Sequence, residues 1–128
     1  MSCYLTIKKD GKVIGSWSRS NKLYRAFDNR APFDAEEEFE PEKEFRMARE
    51  DLDYDINKIK EENNVLEKII DKLHTVDELV KVYDSLSENK EELEELMRAR
   101  YYVDFMEDCY NASKYDEDEE NKWTWGLG

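Results

Sequence analysis

Residues 41–73 read PEKEFRMAREDLDYDINKIKEENNVLEKIIDKL, and this stretch decides the fold. Its apolar residues recur at steps of three and four, interrupted once at Asn63, which is the spacing of a heptad seam. Pro41 suits the first position of a helix, and the acids after it suit the positive end of the helix dipole. We therefore predict a helix of about 33 residues, roughly 50 Å long, with a bend at 61–64. The seam consists of Phe45, Ala48, Leu52, Ile56, Ile59, Leu66, Ile70 and Leu73.

Two further helices are predicted after this one. Thr75 and Glu78 have the spacing of a capping box, so we expect a second helix from there to about Leu86. Ser87 suits the N-cap of a final helix in which the apolar pattern continues. Because short connectors favour antiparallel neighbours, residues 41–112 are predicted to form an antiparallel helical hairpin or a three-helix, coiled-coil-like bundle.

A β-hairpin is predicted at the N-terminus, over residues 3–18. Apolar and polar residues alternate on both sides of Asp10-Gly11, a pair typical of a two-residue turn. Two strands alone are marginally stable in water, so the hairpin must pack on another element. The predicted cross-strand pairs are Ile7 with Ile14 and Tyr4 with Trp17. Beyond the hairpin, Ser20 suits the N-cap of a short helix, and Pro32 predicts an irregular segment over 28–40.

The C-terminal residues Trp123, Trp125 and Leu127 alternate as one face of a strand does. One interpretation is a third strand that docks beside the hairpin and stabilises it. The other is an exposed aromatic hook for a partner, because Trp and Tyr dominate interface hot spots.

These elements predict a single domain of the α+β class, predominantly helical, spanning 1–128. A two- or three-stranded antiparallel β-hairpin packs on the helical bundle. Residues 1–30 hold the hairpin and short helix, 41–112 the helices, and 113–128 an acidic, Trp-containing tail. Charged residues make up 41% of the chain and hydrophobic residues 39%, which favours long solvated helices over a compact sandwich.

Charge is distributed unevenly along the chain. The formal net charge is -13, but residues 1–30 carry seven Lys and Arg against two Asp, which leaves -18 for the remainder. The stretch 34–55 holds eleven acids against three cations. Such a chain repels phosphate, so we expect no direct nucleic-acid binding, and a basic partner would be steered toward it.

The acids of the long helix form the candidate site. At about 100° per residue, Glu44, Asp51, Asp55 and Glu62 share one stripe beside the seam, and further acids precede the helix. The stripe could imitate a phosphate backbone and occupy a groove evolved for DNA or RNA, or it could be a solvated face that keeps the helix in solution. The predicted partner-binding residues are Glu36, Glu37, Glu38, Glu40, Glu44, Asp51, Asp55, Glu62, Trp123 and Trp125.

Two other surfaces have alternative interpretations. A second apolar stripe on the long helix consists of Met47, Tyr54, Val65 and Ile69, and either the hairpin or a third helix covers it or it forms a dimer or partner interface. The basic residues of the N-terminal segment could touch nucleic acid, or they could offset the protein's own acids.

Catalytic and metal sites are not predicted, and neither is a cofactor. His74 is the only histidine, and no Ser or Cys lies at a spacing that suggests a nucleophile and base. Cys3 and Cys109 make neither a disulfide framework nor a metal motif. A signal peptide and an apolar run of ~18 residues are both lacking, so we expect no membrane association and a cytoplasmic location.

In size, charge and its combination of helices with a hairpin, the chain resembles small acidic inhibitors encoded by bacterial viruses, including anti-CRISPR proteins and DNA mimics. The resemblance covers no specific motif and carries over no functional residue. It implies a non-catalytic, stoichiometric inhibitor that occupies the basic surface of a nucleic-acid-binding protein or nuclease complex in a host bacterial cytoplasm. The alternative is a helical assembly or adaptor protein that acts through oligomerisation, for example as a homodimer.

Overall fold

The computed structural model describes residues 4–18, 21–27, 30–32, 36–113 and 120–127. The fold is α+β and predominantly helical, as predicted. Features predicted at Cys3, Ser20 and residues 116–119 lie outside the described residues. In chain order the elements are β1 (Tyr4–Lys9), β2 (Lys12–Ser18), α1 (Lys22–Phe27), β3 (Glu37–Glu38), α2 (Pro41–Ile69), a 3-10 turn (Ile70–Lys72), α3 (Val76–Ser113) and β4 (Trp123–Leu127).

The N-terminal hairpin forms with the predicted turn but with a different register. Asp10 and Gly11 both have positive φ, 51° and 81°, as a type I′ turn requires. Counted from the turn, the first two residue pairs follow the predicted register. A β-bulge between Lys8 and Ile7 then shifts the pairing by one residue. The predicted pairs are therefore wrong: the observed ones are Ile7 with Gly15, Leu5 with Trp17 and Tyr4 with Ser18.

The bulge has a physical reason in the burial of an indole ring. In the unbulged register Trp17 would lie opposite Tyr4, which is exposed. One extra residue in β2 moves Trp17 opposite Leu5, whose side chain is fully buried. Trp17 then packs against the core and reaches Tyr102 of α3, with ring centroids 6.1 Å apart.

The C-terminal residues form the third strand of a four-stranded sheet with the order β2-β1-β4-β3. β4 pairs antiparallel with β1, which confirms the docked-strand interpretation. Asp10 fastens the start of this strand at the hairpin turn, because its carboxylate accepts the backbone N–H groups of Asn121 (3.2 Å) and Lys122 (2.8 Å). β3 lies within the segment 28–40 that was predicted to be irregular, and it pairs with β4. Two consecutive glutamates have no strand propensity of their own, so only the tertiary pairing defines this strand.

The two long helices are each unbroken, which corrects the predicted division at Ser87. α2 continues as α-helix through residues 61–64 and ends in the 3-10 turn, and the bend at 61–64 stays a prediction. α3 starts at the predicted cap, where the Thr75 hydroxyl accepts the N–H of Glu78 (3.2 Å), but it continues through Ser87 to Ser113 and is 38 residues long. Neither Gly nor Pro occurs between Val76 and Ser113 to stop it, and Ser is tolerated in a helix interior. The hairpin alternative is therefore correct for the long helices.

The molecule divides into a base and an arm. The base consists of the sheet, α1 and the adjoining parts of α2 (41–59) and α3 (93–113), and it holds the core, which includes Trp123, Trp125, Phe45 and Leu96. The arm consists of residues 60–92, the far ends of α2 and α3 with their connection. It extends about 20 Å beyond the base at 1.5 Å per residue, and Val82 is its only buried side chain.

A polar pair lies between the two helices of the arm. The Asn89 side-chain amide donates to the Asn63 side-chain oxygen at 2.9 Å between α3 and α2, in a partly buried position. Asn63 is the residue that interrupts the apolar seam. A paired asparagine in such a seam favours one alignment of two helices over neighbouring ones, at a cost in stability.

Candidate partner-binding surface

The predicted acidic stripe of α2 is partly neutralised by the protein itself. Arg30 follows α1, and its Nε donates to Glu44 Oε2 at 2.5 Å, while its Nη1 lies 3.6 Å from a carboxylate oxygen of Asp51. Glu44 is only 9% exposed. The expectation that Glu44 points outward without a counter-charge is wrong, because α1 packs against this side of α2 and brings a cation with it.

Other N-terminal cations also pair with the protein's own acids. Lys8 of β1 forms an ion pair with Glu36, and Lys22 of α1 lies 3.2 Å from Glu92 of α3. For these residues the structure favours internal compensation over contact with nucleic acid. Glu36 is therefore not a free carboxylate.

Three predicted acids have positions that the fold accounts for. Glu37 and Glu38 are exposed on β3, an edge strand, where charged side chains discourage pairing with another sheet. Glu40 is exposed at the N-cap of α2 without a side-chain capping bond, near the positive end of the helix dipole. Within the described part of the chain only Asp55 and Glu62 then remain on the stripe as exposed carboxylates without an ion pair.

Trp123 and Trp125 belong to the core and present no surface to a partner. They are 1% and 3% exposed. Trp125 stacks on Phe39 with ring centroids 4.5 Å apart, and Trp123 packs edge-to-face against Phe45 at 5.8 Å. Their assignment as partner-binding residues is wrong, because the third strand turns their alternating face inward.

A second row of exposed acids without an ion pair lies on α3, and we call it the acidic ridge: Asp84, Glu88, Glu91 and Glu95. Steps of four, three and four place these carboxylates within about 60° of arc, over roughly 16 Å of helix. All four are exposed, and no ion pair reaches them from any described residue. Glu88 and Glu91 face away from α2, since the seam side of α3 holds Val82 and Asn89.

The helix that bears the ridge is fixed to α2 by an ion-pair cluster at the base. Arg100 Nε lies 2.9 Å from Asp53 of α2, and Arg49 of α2 lies 2.5 Å from Glu107. Both arginines also contact Asp104. Burial alone would lower the pKa of Arg100. Its hydrogen bonds to Asp104 and Asp53, together with the charges of these two acids, raise that pKa by more, so the net shift is upward. Two arginines thus pair with three carboxylates in this cluster, and neither arginine forms an ion pair with the ridge.

The sequence contains the ridge, but the predicted break at Ser87 hid it. With a helix boundary at that point, Asp84 falls on one helix and the three glutamates on the next. Read as one helix, residues 84–95 show six acids and one lysine, with four of the acids at i, i+4, i+7 and i+11. That spacing is the signal that locates the ridge.

The second apolar stripe of α2 is left largely uncovered. Tyr54 and Val65 are 69% and 60% exposed, so neither the hairpin nor another helix covers them. Met47 and Ile69 are partly buried. This favours the interface interpretation of the stripe over the structural one.

Family models, curated proteins and solved structures were all compared with this chain, and none of them matches it. No described helix has the length and apolar character needed to cross a bilayer. In the described ranges, no three His, Cys, Asp or Glu side chains are grouped so as to hold a metal ion.

Proposed function

We propose that this protein is a non-catalytic binding protein whose acidic ridge engages the basic surface of a nucleic-acid-binding protein or nuclease complex and inhibits it stoichiometrically. The observation that carries the proposal is the ridge itself, four exposed carboxylates in one row that form no ion pair with any described residue. The acids of α2 that first suggested the function are mostly paired or explained by the fold, so the proposal moves to α3.

The continuity of the helix supports this proposal. The ridge lies within an unbroken helix of 38 residues that packs on α2. Neighbouring acids three or four residues apart have Cβ atoms about 5–6 Å from each other. Negative groups at such intervals can replace the charges of a nucleic-acid backbone, and because the helix already fixes their backbone, binding has to order only the side chains.

Repulsion between the acids of the ridge lowers the stability of α3. A surface that only kept the helix in solution would not need acids at such close spacing. Asp84 and Glu88, and likewise Glu91 and Glu95, are like charges at i,i+4, each pair destabilising the helix by about 0.2–0.5 kcal/mol. A basic partner relieves that repulsion on binding. Binding of this kind weakens steeply with salt, because both charged surfaces are screened.

The test uses a ridge variant with the four acids replaced as Asp84→Asn, Glu88→Gln, Glu91→Gln and Glu95→Gln. Wild-type protein and variant are immobilised and exposed to a nuclease-treated bacterial lysate at about 50 mM NaCl, and duplex DNA is then used for elution. We expect the wild type to retain a basic protein that DNA displaces, and the ridge variant to lose it. Circular dichroism should show an equally helical variant, since the changes remove repulsion.

A matched control variant removes four other charges: Glu50→Gln, Glu61→Gln, Glu67→Gln and Asp71→Asn. These acids are exposed and carry no ion pair with a described residue. The control should retain the partner. Equal loss in both variants would mean that net charge alone drives binding, and equal retention in both would reject the ridge.

Homotypic assembly is the second candidate function, and exposed apolar residues of the arm favour it. Val65, Val76, Val80 and Tyr83 are at least half exposed. The helical seam and the tryptophan tail, which could also have served assembly, are used within the chain. Sedimentation at several concentrations distinguishes the two functions: assembly predicts a salt-resistant oligomer, and the inhibitor predicts a monomer that binds its partner only at low salt.

A further inference from the structure

An apolar stripe lies on α3 beyond the end of the ridge, and it starts at the groove between α3 and α2, which Met97 lines. Met97, Tyr101 and Phe105 follow one another at steps of four and are 53%, 68% and 47% exposed. At about 100° per residue they fall within roughly 80° of arc and 12 Å of helix. Leu96 and Val103 are buried on the opposite side of α3, so the core does not require these three side chains.

Aromatic packing extends the stripe to the hairpin. The ring of Tyr101 lies 6.2 Å from that of Tyr102, which in turn lies 6.1 Å from Trp17 of β2. Trp17 is partly buried and also covers Gly15, where an added Cβ would collide with the indole ring. The result is a continuous surface of Met and aromatic side chains, of the type enriched at interface centres.

Charges at both ends of the stripe restrict what can dock there. Glu94 lies one turn before Met97, and Asp108 lies three residues after Phe105. Both acids are exposed and without an ion pair to any described residue. Arg98 flanks the stripe beside Glu94. An occupant with apolar side chains between two cationic ends, about 20 Å apart on a helix, complements this surface.

A second copy of the chain does not complement it. If two copies of α3 crossed antiparallel at Tyr101, Glu94 of one copy would face Asp108 of the other at both ends. In a parallel arrangement Glu94 would face Glu94. Like charges directly opposed at a contact are unfavourable, and two molecules of net charge -13 also repel each other at a distance.

We propose that the stripe Met97–Tyr101–Phe105 is a docking site for a cationic amphipathic helix of another protein. Its apolar side chains would lie on the stripe, and its basic residues would pair with Glu94 and Asp108. This is the helix-on-apolar-surface mode of recognition, with anchors at i and i+4. The site is separate from the acidic ridge and does not depend on it.

The test uses a defined probe, an 18-residue helical peptide of Leu and Lys with leucines at i, i+3 and i+4. A second peptide has the same composition with its residues reordered so that no apolar face forms. Titration calorimetry should show the amphipathic peptide binding at least ten times more tightly than the reordered one. Backbone amide shifts should change at residues 94–108 of the protein.

The stripe variant is Met97→Ser, Tyr101→Ser, Phe105→Ser, and its matched control is Val76→Ser, Val80→Ser, Tyr83→Ser at the tip of the arm. We expect the stripe variant to bind the amphipathic peptide at least ten times more weakly and the control to bind within threefold of wild type. The ridge variant should also bind within threefold, which separates this proposal from the proposed function. Should the stripe variant lose helicity, the single change Tyr101→Ser applies, with a loss of at least threefold.

Four results would overturn the proposal. Equal affinity for the two peptides would show that charge alone attracts them. Unchanged binding by the stripe variant, or amide shifts confined to residues outside 94–108, would place the peptide elsewhere. A wild-type dimer in sedimentation that the stripe variant abolishes would show that a second copy occupies the stripe.

Discussion

The base and the arm are built from the same two helices but are stabilised in different ways. In the base, α2 and α3 are covered by α1 and a four-stranded sheet, and aromatic side chains fill the space between them. In the arm the two helices pack only against each other. Val82 is the single buried side chain there, and an asparagine pair lies in the seam. The comparison teaches that the base supplies stability and the arm presents side chains to the solvent.

The position of the charges follows the same division. Cations of the N-terminal segment pair with acids around the base, and the ion-pair cluster of Arg49 and Arg100 lies there as well. The ridge runs from the arm to the edge of the base, and none of these cations forms an ion pair with it, although Lys22 pairs with the neighbouring Glu92. Binding by the ridge would therefore leave the core undisturbed.

The largest expected effect is on the base core. Trp123→Ala removes a side chain that packs against Phe39, Phe45 and Tyr110, and we expect it to lower the free energy of unfolding by about 3–5 kcal/mol. Val82→Ala in the arm should lower the free energy of unfolding by only about 1–2 kcal/mol. The change removes two methyl groups from a contact between only two helices. Urea unfolding measures both. Equal losses would contradict the division into base and arm.

The second effect concerns the cation that neutralises the predicted α2 stripe. Arg30→Ala leaves Glu44 without its partner in a nearly buried position, and we expect a loss of about 2 kcal/mol in the free energy of unfolding. Adding Glu44→Leu should recover part of the loss, because no charge is then left unpaired.

Lys22→Ala is the comparison for Arg30. It removes an ion pair with Glu92, whose side chain is about half exposed, and should cost below about 0.5 kcal/mol. If Arg30→Ala were as mild as Lys22→Ala, Glu44 would be as free as a surface acid, and the α2 stripe would again be a candidate site.

The third effect is in the arm. Asn63→Ala breaks the hydrogen bond to Asn89 and should lower the free energy of unfolding by about 1 kcal/mol. The double change Asn63→Leu and Asn89→Leu should instead raise it by a similar amount and permit other alignments of the helices. Distances between spin labels on the two helices of the arm would then broaden. A single sharp distance in the double variant would show that the asparagine pair does not set the register.

The sequence predicted the elements with strong local signals. Pro41, the seam of α2, the Asp10-Gly11 turn and the cap at Thr75 each lie where predicted, because each depends on chemistry within a few residues. The bulge in β2, the strand at Glu37–Glu38 and the burial of Glu44 depend on packing between distant segments. Helix α3 was divided wrongly at Ser87 because a cap residue is also tolerated in a helix interior.

The candidate site was predicted on α2, and the structure leads us to propose a different acidic surface, on α3. The uneven charge pointed to an acidic surface, and local spacing placed it on α2. It could not show that Arg30, fourteen residues before Glu44, would fold back onto that stripe. The same reasoning applied to α3 finds four carboxylates that no described cation reaches.

The salt dependence of ridge binding tests the central claim most directly. The basic protein retained in the capture experiment is titrated with wild type, ridge variant and control variant between about 50 and 500 mM NaCl, a range over which screening of exposed charges increases strongly. We expect log Kd to rise steeply with log salt for the wild type and the control, and much less steeply for the ridge variant. Three parallel lines would mean that the ridge carboxylates do not contact the partner, and the account would be wrong.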